Sequence, residues 1–303
     1  MNKPRRPPRR QVDGVLLLDK PSGISSNAAL QKARWLFNAA KAGHTGTLDP
    51  MATGLLPLCF GEATKFAGEL LDADKSYRAT LKLGMTTDTA DADGKVLETR
   101  PVSINETQWR AATADFCGEI EQIPPMHSAL KRDGKPLYEY ARAGIELERQ
   151  ARRVTIHRIE TISFAGDQAI IDVDCSKGTY IRTLAADIGE RLGCGAHLTA
   201  LRRIKVGELN ISQSLTLDAI EAALPEARDH LLRPADALLA RLPIAYLSEP
   251  ERARLLKGQS IFRQGSPTTV YRLYSENEFL GLGQQTSDGY LQPRRLMRAD
   301  TCK

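Results

Sequence analysis

The hydrophobic and polar positions along the chain follow two periods, one typical of strands and one typical of helices. The strand period is clearest over residues 75–84, where Tyr77, Ala79 and Leu81 share one face and polar residues the other. Helical spacing of apolar residues is clearest after residue 179, where Ile181, Leu184 and Ile188 recur on one face. Further strands are predicted at 14–18, 154–164, 169–174 and 198–209, and further helices after residues 25, 103, 137 and 248. Strands and helices without regular alternation indicate an α+β fold rather than a doubly wound sheet.

A segment rich in glycine and proline interrupts these patterns at residues 41–60. Its sequence, KAGHTGTLDPMATGLLPLCF, is apolar but carries glycine or proline at five positions. Glycine and proline at this density make a regular helix or strand improbable, so the segment predicts a buried, rigid loop.

The last part of the chain has the pattern of a separate small module. A boundary is predicted near residues 242–248, followed by a short capped helix and by short strands separated by turns. We therefore expect a main domain over residues 13–245 and a small β-barrel over residues 246–303.

Composition places the chain among ordinary globular proteins, with 303 residues of which 42% are hydrophobic and 26% charged. The sequence has no uninterrupted apolar run of about 18 residues, and its first ten residues lack the apolar core of a secretory signal. The five cysteines are scattered without a CxxC pair, which argues against a disulfide framework and a zinc site. A cytoplasmic protein without membrane contact is the expectation.

The positive charge is unevenly distributed. The formal net charge is +5, and Lys3 together with the four arginines of the PRRPPRR run supplies five positive charges, so residues 1–12 are expected to form a disordered basic tail. Within the neutral remainder, residues 131–158 and 251–303 are each strongly basic. Two basic segments on a neutral body favour local contact with a polyanion, although solvated surface charge explains the composition equally well.

Cofactor-binding motifs are not found in the glycine-rich and acidic segments. The run GHTGTLDPMATG lacks the terminal Lys-Ser/Thr of a phosphate-binding loop and the GxGxxG spacing of a dinucleotide fold. Asp88, Asp91 and Asp93 resemble a calcium loop, but the register places Thr89 and Arg100 at its end positions, so a hairpin turn is preferred. We expect no metal and no cofactor.

Asp49 is the strongest candidate for chemistry, although its position before Pro50 is also typical of a helix cap or turn. His44 and two threonines accompany it in the same stiff loop, a rigid mount of the kind that a positioned nucleophile needs. Taken separately, His44 is typical of the surface, Tyr77 of the core, and Arg182 of a solvated helix edge.

Several long blocks together resemble the TruB family of pseudouridine synthases. The blocks cover residues 13–210 in the order of the family, and the last 60 residues resemble its PUA-like RNA-binding domain more loosely. They read GVLLLDKPSGISS, GHTGTLDPMATGLLPLCFGEATK, KSYRATLKLG, PPMHSALKRDGKPLYEYARAG and CSKGTYIRTLAADIG. The resemblance implies a pseudouridine synthase fold, with a central mixed, mostly antiparallel sheet flanked by helices and a small PUA-like β-barrel domain at the C-terminus.

The resemblance also implies an activity and its catalytic residues. Uridine in the T-loop of tRNA, at position 55, would be isomerised to pseudouridine after the base is flipped out. Asp49 would be the catalytic aspartate, Tyr77 would stack on the target base, and Arg182 would pair with Asp49. An arginine partner favours the ionised carboxylate in a pocket that otherwise disfavours charge.

Substrate-binding residues are implied in the same way. His44 would take the place of the flipped nucleotide, while Tyr180 and Leu201 would line the uridine pocket. Lys20 belongs to a block that supports the active-site loop and is placed with the substrate-binding residues.

Residues 125–153 resemble a mobile thumb that clamps the RNA. Phosphate contacts are expected there from Lys131, Arg132, Arg149, Arg152 and Arg153. The expected partner is the T-arm of tRNA, and the chain is expected to act as a monomer, with a possible additional role in RNA folding. Two other classes stay open from the residues: a noncatalytic RNA-binding protein in which Asp49 is a cap, and a hydrolase with paired carboxylates that releases free base.

Overall fold

The computed structural model of the chain describes residues 8–128 and 130–298. Its strands are β1 Gly14–Lys20, β2 Ala42–His44, β3 Thr53–Phe60, β4 Lys75–Leu83, β5 Met85–Thr87, β6 Val96–Thr99, β7 Gly118–Gln122, β8 Lys131–Arg132, β9 Lys135–Pro136, β10 Arg152–Ala165, β11 Gln168–Cys175, β12 Ala196–Val206, β13 Leu209–Asn210, β14 Leu215–Thr216, β15 Ile244–Tyr246, β16 Ile261–Phe262, β17 Val270–Ser275, β18 Glu278–Gln285 and β19 Tyr290–Leu296. The α-helices are α1 Ser26–Leu36, α2 Gly68–Leu71, α3 Glu106–Ala114, α4 Leu137–Arg142, α5 Ile181–Arg191, α6 Leu217–Ala222 and α7 Glu249–Leu256. Short 3₁₀ helices lie at Gly61–Phe66, Ile211–Gln213, Pro225–Leu231 and Ala235–Leu239. No helix in the described ranges is long and apolar enough to cross a membrane.

A ten-stranded sheet forms the centre of the molecule. Its main path is β14–β1–β3–β12–β4–β11–β10–β7, while β2 pairs with β3 and β13 pairs with β12. Neighbours are antiparallel except at β14–β1 and β3–β12. The α+β class and the mixed, mostly antiparallel sheet predicted from the sequence are confirmed.

Each face of the central sheet is covered. Because strand residues alternate between faces, Leu16 and Leu18 of β1 pack with α1, α3 and α5, whereas Val15 and Leu17 pack on the opposite side. The apolar residues of α5 predicted at helical spacing are buried there. Helix α5 is thereby fixed against the sheet, and its first turn lies at the cavity described below.

The C-terminal module is a second, five-stranded sheet with the order β15–β17–β18–β19–β16. Leu255, Leu273 and Leu291 are among the residues of its own core. The module packs against the face of the central sheet that carries Val15 and Leu17. There the rings of Phe66 and Phe279 lie 5.4 Å apart. The sheet begins at β15, which lies across the boundary expected between residues 245 and 246.

Two expectations about local structure were wrong in part. Residues 41–60 contain strands β2 and β3, so only residues 45–52 form a loop. Residues 53–60 form a strand despite their glycine and proline, because burial of apolar residues such as Leu55 and Leu58 favours it. The Pro57 carbonyl also accepts a hydrogen bond from the Thr45 N–H. Residues 8–12 of the expected basic tail lie against the body, where Arg10 pairs with the main chain beside residue 39 and Val12 is buried. Residues 1–7 of that tail lie outside the described residues.

Candidate active site

The loop that carries Asp49 is tied to the start of the chain by buried polar groups. The Ser26 hydroxyl, at the start of α1, accepts from the Leu48 N–H at 2.8 Å and donates to the Leu48 carbonyl at 3.0 Å. The Lys20 ammonium donates to the carbonyls of Pro21, Ile24 and Pro50. These bonds hold the main chain on both sides of Asp49, so its carboxylate is presented from a rigid support.

Arg182, in the first turn of α5, is the principal partner of Asp49. Its Nε lies 2.9 Å from Asp49 Oδ2, and its side chain is only 4% exposed. The remaining donors face the carbonyls of Thr89 and His127 and, at 3.5 Å, Asp91 Oδ2. A guanidinium with partners on every side has one orientation, and that orientation fixes the Asp49 carboxylate.

The electrostatic balance at Asp49 raises its pKa above the ordinary value. Burial is the largest cause, the charge of Arg182 opposes it, and the charge of Asp91 adds to it. Burial therefore outweighs the charge of Arg182, and Asp49 is a stronger base than an exposed aspartate.

A cavity of about 400 Å³ lies beside this ion pair. Five of the residues predicted to form the site line it together: Asp49, Tyr77, Tyr180, Arg182 and Leu201. They come from the 45–52 loop, β4, the start of α5 and β12, elements that are far apart in the sequence and adjacent in the fold. A volume of this size accommodates a nucleobase with its ribose.

Two tyrosines form part of the cavity wall. Tyr77 is half-buried on β4, and burial raises the pKa of its hydroxyl. Tyr180 precedes α5, where its N–H donates to Gln122 Oε1 at 3.1 Å and its carbonyl accepts from Gln122 Nε2 at 3.3 Å. Burial also raises the pKa of Tyr180. Both rings therefore stay neutral and offer aromatic surface to a base.

His44 and Lys20 do not line this cavity. His44 is half-buried at the end of β2, and burial and the charge of Arg203 lower its pKa, so the imidazole is neutral near pH 7. Lys20 was placed with the substrate-binding residues, but it is fully buried and its ammonium is used by carbonyls of this chain. Its position is that of a support for the loop, because no face of the ammonium is open to substrate.

The basic residues expected in the thumb fall into two groups. Lys131 and Arg132 are exposed on the small β8–β9 hairpin, where they are accessible to a phosphate. Arg149 donates to the Pro124 carbonyl at 3.2 Å and braces the base of the segment. Arg152 and Arg153 lie in β10 of the central sheet, and Arg153 pairs with acidic side chains of β7, the nearest at 3.3 Å.

Sequence reasoning missed two buried groups at the site. Asp91 was assigned to a hairpin turn, which does connect β5 and β6, but its carboxylate points to Arg182. Arg203 lines the cavity and is 1% exposed. Period-two spacing from Leu201 places Arg203 on the same face of β12, and that signal was available in the sequence.

No group of three or more metal-ligating side chains is found within residues 8–128 and 130–298. The acidic turn at Asp88, Asp91 and Asp93 is held by internal hydrogen bonds, among them Lys95 N–H to Asp88 Oδ1 at 2.8 Å. The Asp93 N–H likewise donates to Asp91 Oδ1 at 3.1 Å. One oxygen each of Asp88 and Asp91 thus bonds the backbone of the turn, while Asp91 Oδ2 faces Arg182.

Family models and curated relatives match nearly the whole chain. The TruB family pseudouridylate synthase N-terminal domain matches residues 34–181, the tRNA pseudouridylate synthase B C-terminal domain 182–240, and the pseudouridine synthase II TruB C-terminal model 243–297. A tRNA pseudouridine synthase B of Azoarcus sp. (strain BH72) is 58% identical, covering 98% of this chain and 99% of that protein. A tRNA pseudouridine synthase B of Chromobacterium violaceum is 57% identical, covering 98% of both chains.

Solved structures agree with this similarity. A chain of a Cbf5-Nop10-Gar1 complex has a TM-score of 0.73 at 25% identity, covering 95% of this chain and 86% of its own. A chain of an H/ACA RNP bound to a substrate RNA containing 2'-deoxyuridine has the same fold, with a TM-score of 0.73 at 23% identity and coverage of 96% and 87%. From the matches along its whole length, the chain belongs to the TruB family of pseudouridine synthases.

Proposed function

We propose that this enzyme isomerises uridine to pseudouridine at position 55, in the T-loop of tRNA. The observation that carries the proposal is the Asp49 carboxylate, held 2.9 Å from a buried arginine at a cavity of nucleoside size. The relatives named tRNA pseudouridine synthase B support tRNA as the substrate.

In this proposal Asp49 is the catalytic residue. The reaction breaks the N1–C1′ bond, turns the base, and joins C5 to C1′, after which the proton on C5 is lost to solvent and N1 gains one. Atoms and electrons balance without an oxidant or a reductant. Asp49 serves either by covalent addition or by removing a sugar proton, and its raised pKa makes the carboxylate a stronger base for the second role.

The cavity walls suit a flipped base. Tyr77 offers the ring on which the uracil stacks, and Tyr180 and Leu201 close the pocket around it. His44 lies outside this lining, where a neutral imidazole can take the place of the extruded nucleotide in the T-loop. Such a plug offsets the cost of unstacking, which is a few kcal/mol.

In this proposal, residues 13–245 form the catalytic domain, residues 125–153 within it form the thumb, and residues 246–303 form a PUA-like RNA-binding domain. The thumb and the C-terminal domain hold the RNA. Exposed Lys131 and Arg132 supply phosphate contacts from the thumb, and the shape of the T-loop supplies specificity. One chain contains the whole cavity, so a monomer suffices for the reaction.

The test is to incubate the protein with unmodified tRNA transcript in a metal-free buffer and to locate pseudouridine by carbodiimide labelling and primer extension. A single stop at position 55 is the expected result. Stops elsewhere would overturn the position, and release of free uracil would indicate a hydrolase instead.

A further inference from the structure

Arg203 is a buried cation of the active site to which the proposed mechanism assigns no part. In the antiparallel pairing of β12 with β4, Arg203 lies directly opposite Tyr77. Directly opposed residues of antiparallel strands point to the same face, so the two side chains are neighbours. Both line the cavity that contains Asp49.

The main chain and the side chain of Arg203 are fixed by close contacts. A Cβ at position 54 would collide with the Arg203 carbonyl and N–H, so the glycine there allows β3 to approach β12. The Arg203 Nε donates to the Leu55 carbonyl at 2.7 Å. Its Nη1 lies 3.8 Å from the Cβ position of Gly46, which places the guanidinium under the loop that carries Asp49.

This guanidinium has no carboxylate partner among the described residues within ion-pair distance. Its charged and titratable neighbours include Lys20, His44 and Lys75, whose pKa values it lowers. Its Nη2 is buried without a hydrogen-bond partner in the described ranges. Burying an uncompensated charge is unfavourable, so a residue of this kind indicates a role other than stability.

Among the residues near this guanidinium, Tyr77 lies directly across the strand pair and carries a hydroxyl that can accept a hydrogen bond. The charge of Arg203 opposes the effect of burial on the pKa of Tyr77, as expected for two side chains on the same face of neighbouring strands. Arg203 is 1% exposed, so it lines the cavity from a buried position and is inaccessible to the RNA outside the cavity.

We propose that Arg203 is a positioning residue for the isomerisation. It fixes the Tyr77 phenol and supports the loop that carries Asp49 near Gly46. It thereby sets the orientation of the flipped uracil relative to the carboxylate. This inference rests on the proposed function, because it assigns Tyr77 to the stacked base. Arg203 acts through Tyr77 and not by contact with substrate.

The inference is tested by a double-mutant cycle on the single-turnover rate of pseudouridine formation, with Arg203→Met, Tyr77→Phe and the double variant. Arg203→Met is expected to reduce the rate about 10- to 100-fold with tRNA affinity unchanged. In the Tyr77→Phe background the same change is expected to cost less than about 3-fold, because the hydroxyl is already gone. Arg203→Lys should recover part of the rate.

Arg202→Met is the matched control, since that neighbouring arginine faces the other side and pairs with Asp19. Equal losses from Arg203→Met in both Tyr77 backgrounds would overturn the inference and leave Arg203 a structural residue. A weaker tRNA affinity with a smaller salt dependence would overturn it in favour of a phosphate contact. If Arg203→Met does not fold, Arg203→Lys and Arg203→Gln carry the cycle. A wild-type enzyme that forms no pseudouridine would instead refute the proposed function.

Discussion

Replacing Arg182 by methionine tests the electrostatics of the site most fully. The change keeps a long side chain and removes a cation whose side chain is 4% exposed, leaving Asp49 and the 6%-exposed Asp91 without it. Removing one member of a buried ion pair costs about 3–5 kcal/mol, and because the Asp49 side chain is 34% exposed the free energy of unfolding should fall by the lower end of that range, about 3 kcal/mol, at neutral pH. The matched control is Arg78→Met, whose ion pair with Asp172 involves an arginine side chain that is 51% exposed. The control should lose about 1 kcal/mol or less.

The pH dependence of this loss has a definite sign. The pKa of Asp49 is already raised in the folded protein, and without Arg182, which opposes the rise, it is raised further. A raised carboxyl pKa means that the folded state binds the proton more tightly than the unfolded state, so the penalty exists above the folded pKa and disappears as the pH falls through it. The deficit of Arg182→Met should therefore be larger at about pH 8 than at about pH 5.

Urea unfolding at both pH values measures this deficit, with the m-value checked for each variant. A deficit no larger than that of Arg78→Met, or one that grows toward acid pH, would refute the assignment of Arg182 as the charge that compensates Asp49.

Three further predictions concern the surroundings of the site. Gly54→Ala should destabilise the protein by about 2–4 kcal/mol in urea unfolding, because a Cβ there overlaps the main chain of β12, whereas Gly68→Ala, with open space around it, should change stability by less than about 0.5 kcal/mol. The pKa values of Lys20 and Lys75 are both lowered to about 8 from 10.5, so the wild type should gain more stability between these pH values than Lys20→Met, which keeps only the gain from Lys75; an equal gain in both would contradict this. Replacing Lys131 and Arg132 by alanine should reduce the log–log slope of tRNA affinity against salt by about one unit per contact, and an unchanged slope would leave them as surface charge.

The periodic parts of the sequence predicted the fold well. The alternation over 75–84 appears as β4, and the apolar face of α5 packs on the central sheet. The helix predicted after residue 103 rests on the capping-box spacing of Ser103 and Glu106, whereas in the structure Asn105 forms the cap with Gln108, a pair with the same spacing two positions later. Local spacing thus located the elements, but equivalent capping pairs cannot be ranked without tertiary contacts.

The burial and pairing of the site residues depend on partners that are distant in the sequence. By its helical position Arg182 is typical of a solvated side chain, yet it is buried because Asp49, Thr89 and His127 reach it from three other segments. The blocks that resemble the TruB family pointed to the Asp49–Arg182 pair, whereas Asp91 has no local signal beyond an acidic turn. Burial and pairing at such a site depend on residues distant in sequence, which periodicity does not record.

The most direct test of the account compares single-turnover pseudouridine formation by Asp49→Asn, Asp172→Asn and the wild type. The Asp49→Asn substitution keeps the size of the side chain and removes the charge, while the Asp172 carboxylate pairs with Arg78 outside the cavity. Asp49→Asn is expected to bind tRNA normally and to form no pseudouridine, with Asp172→Asn close to wild type. Pseudouridine formed by Asp49→Asn at a rate near that of the wild type would contradict it.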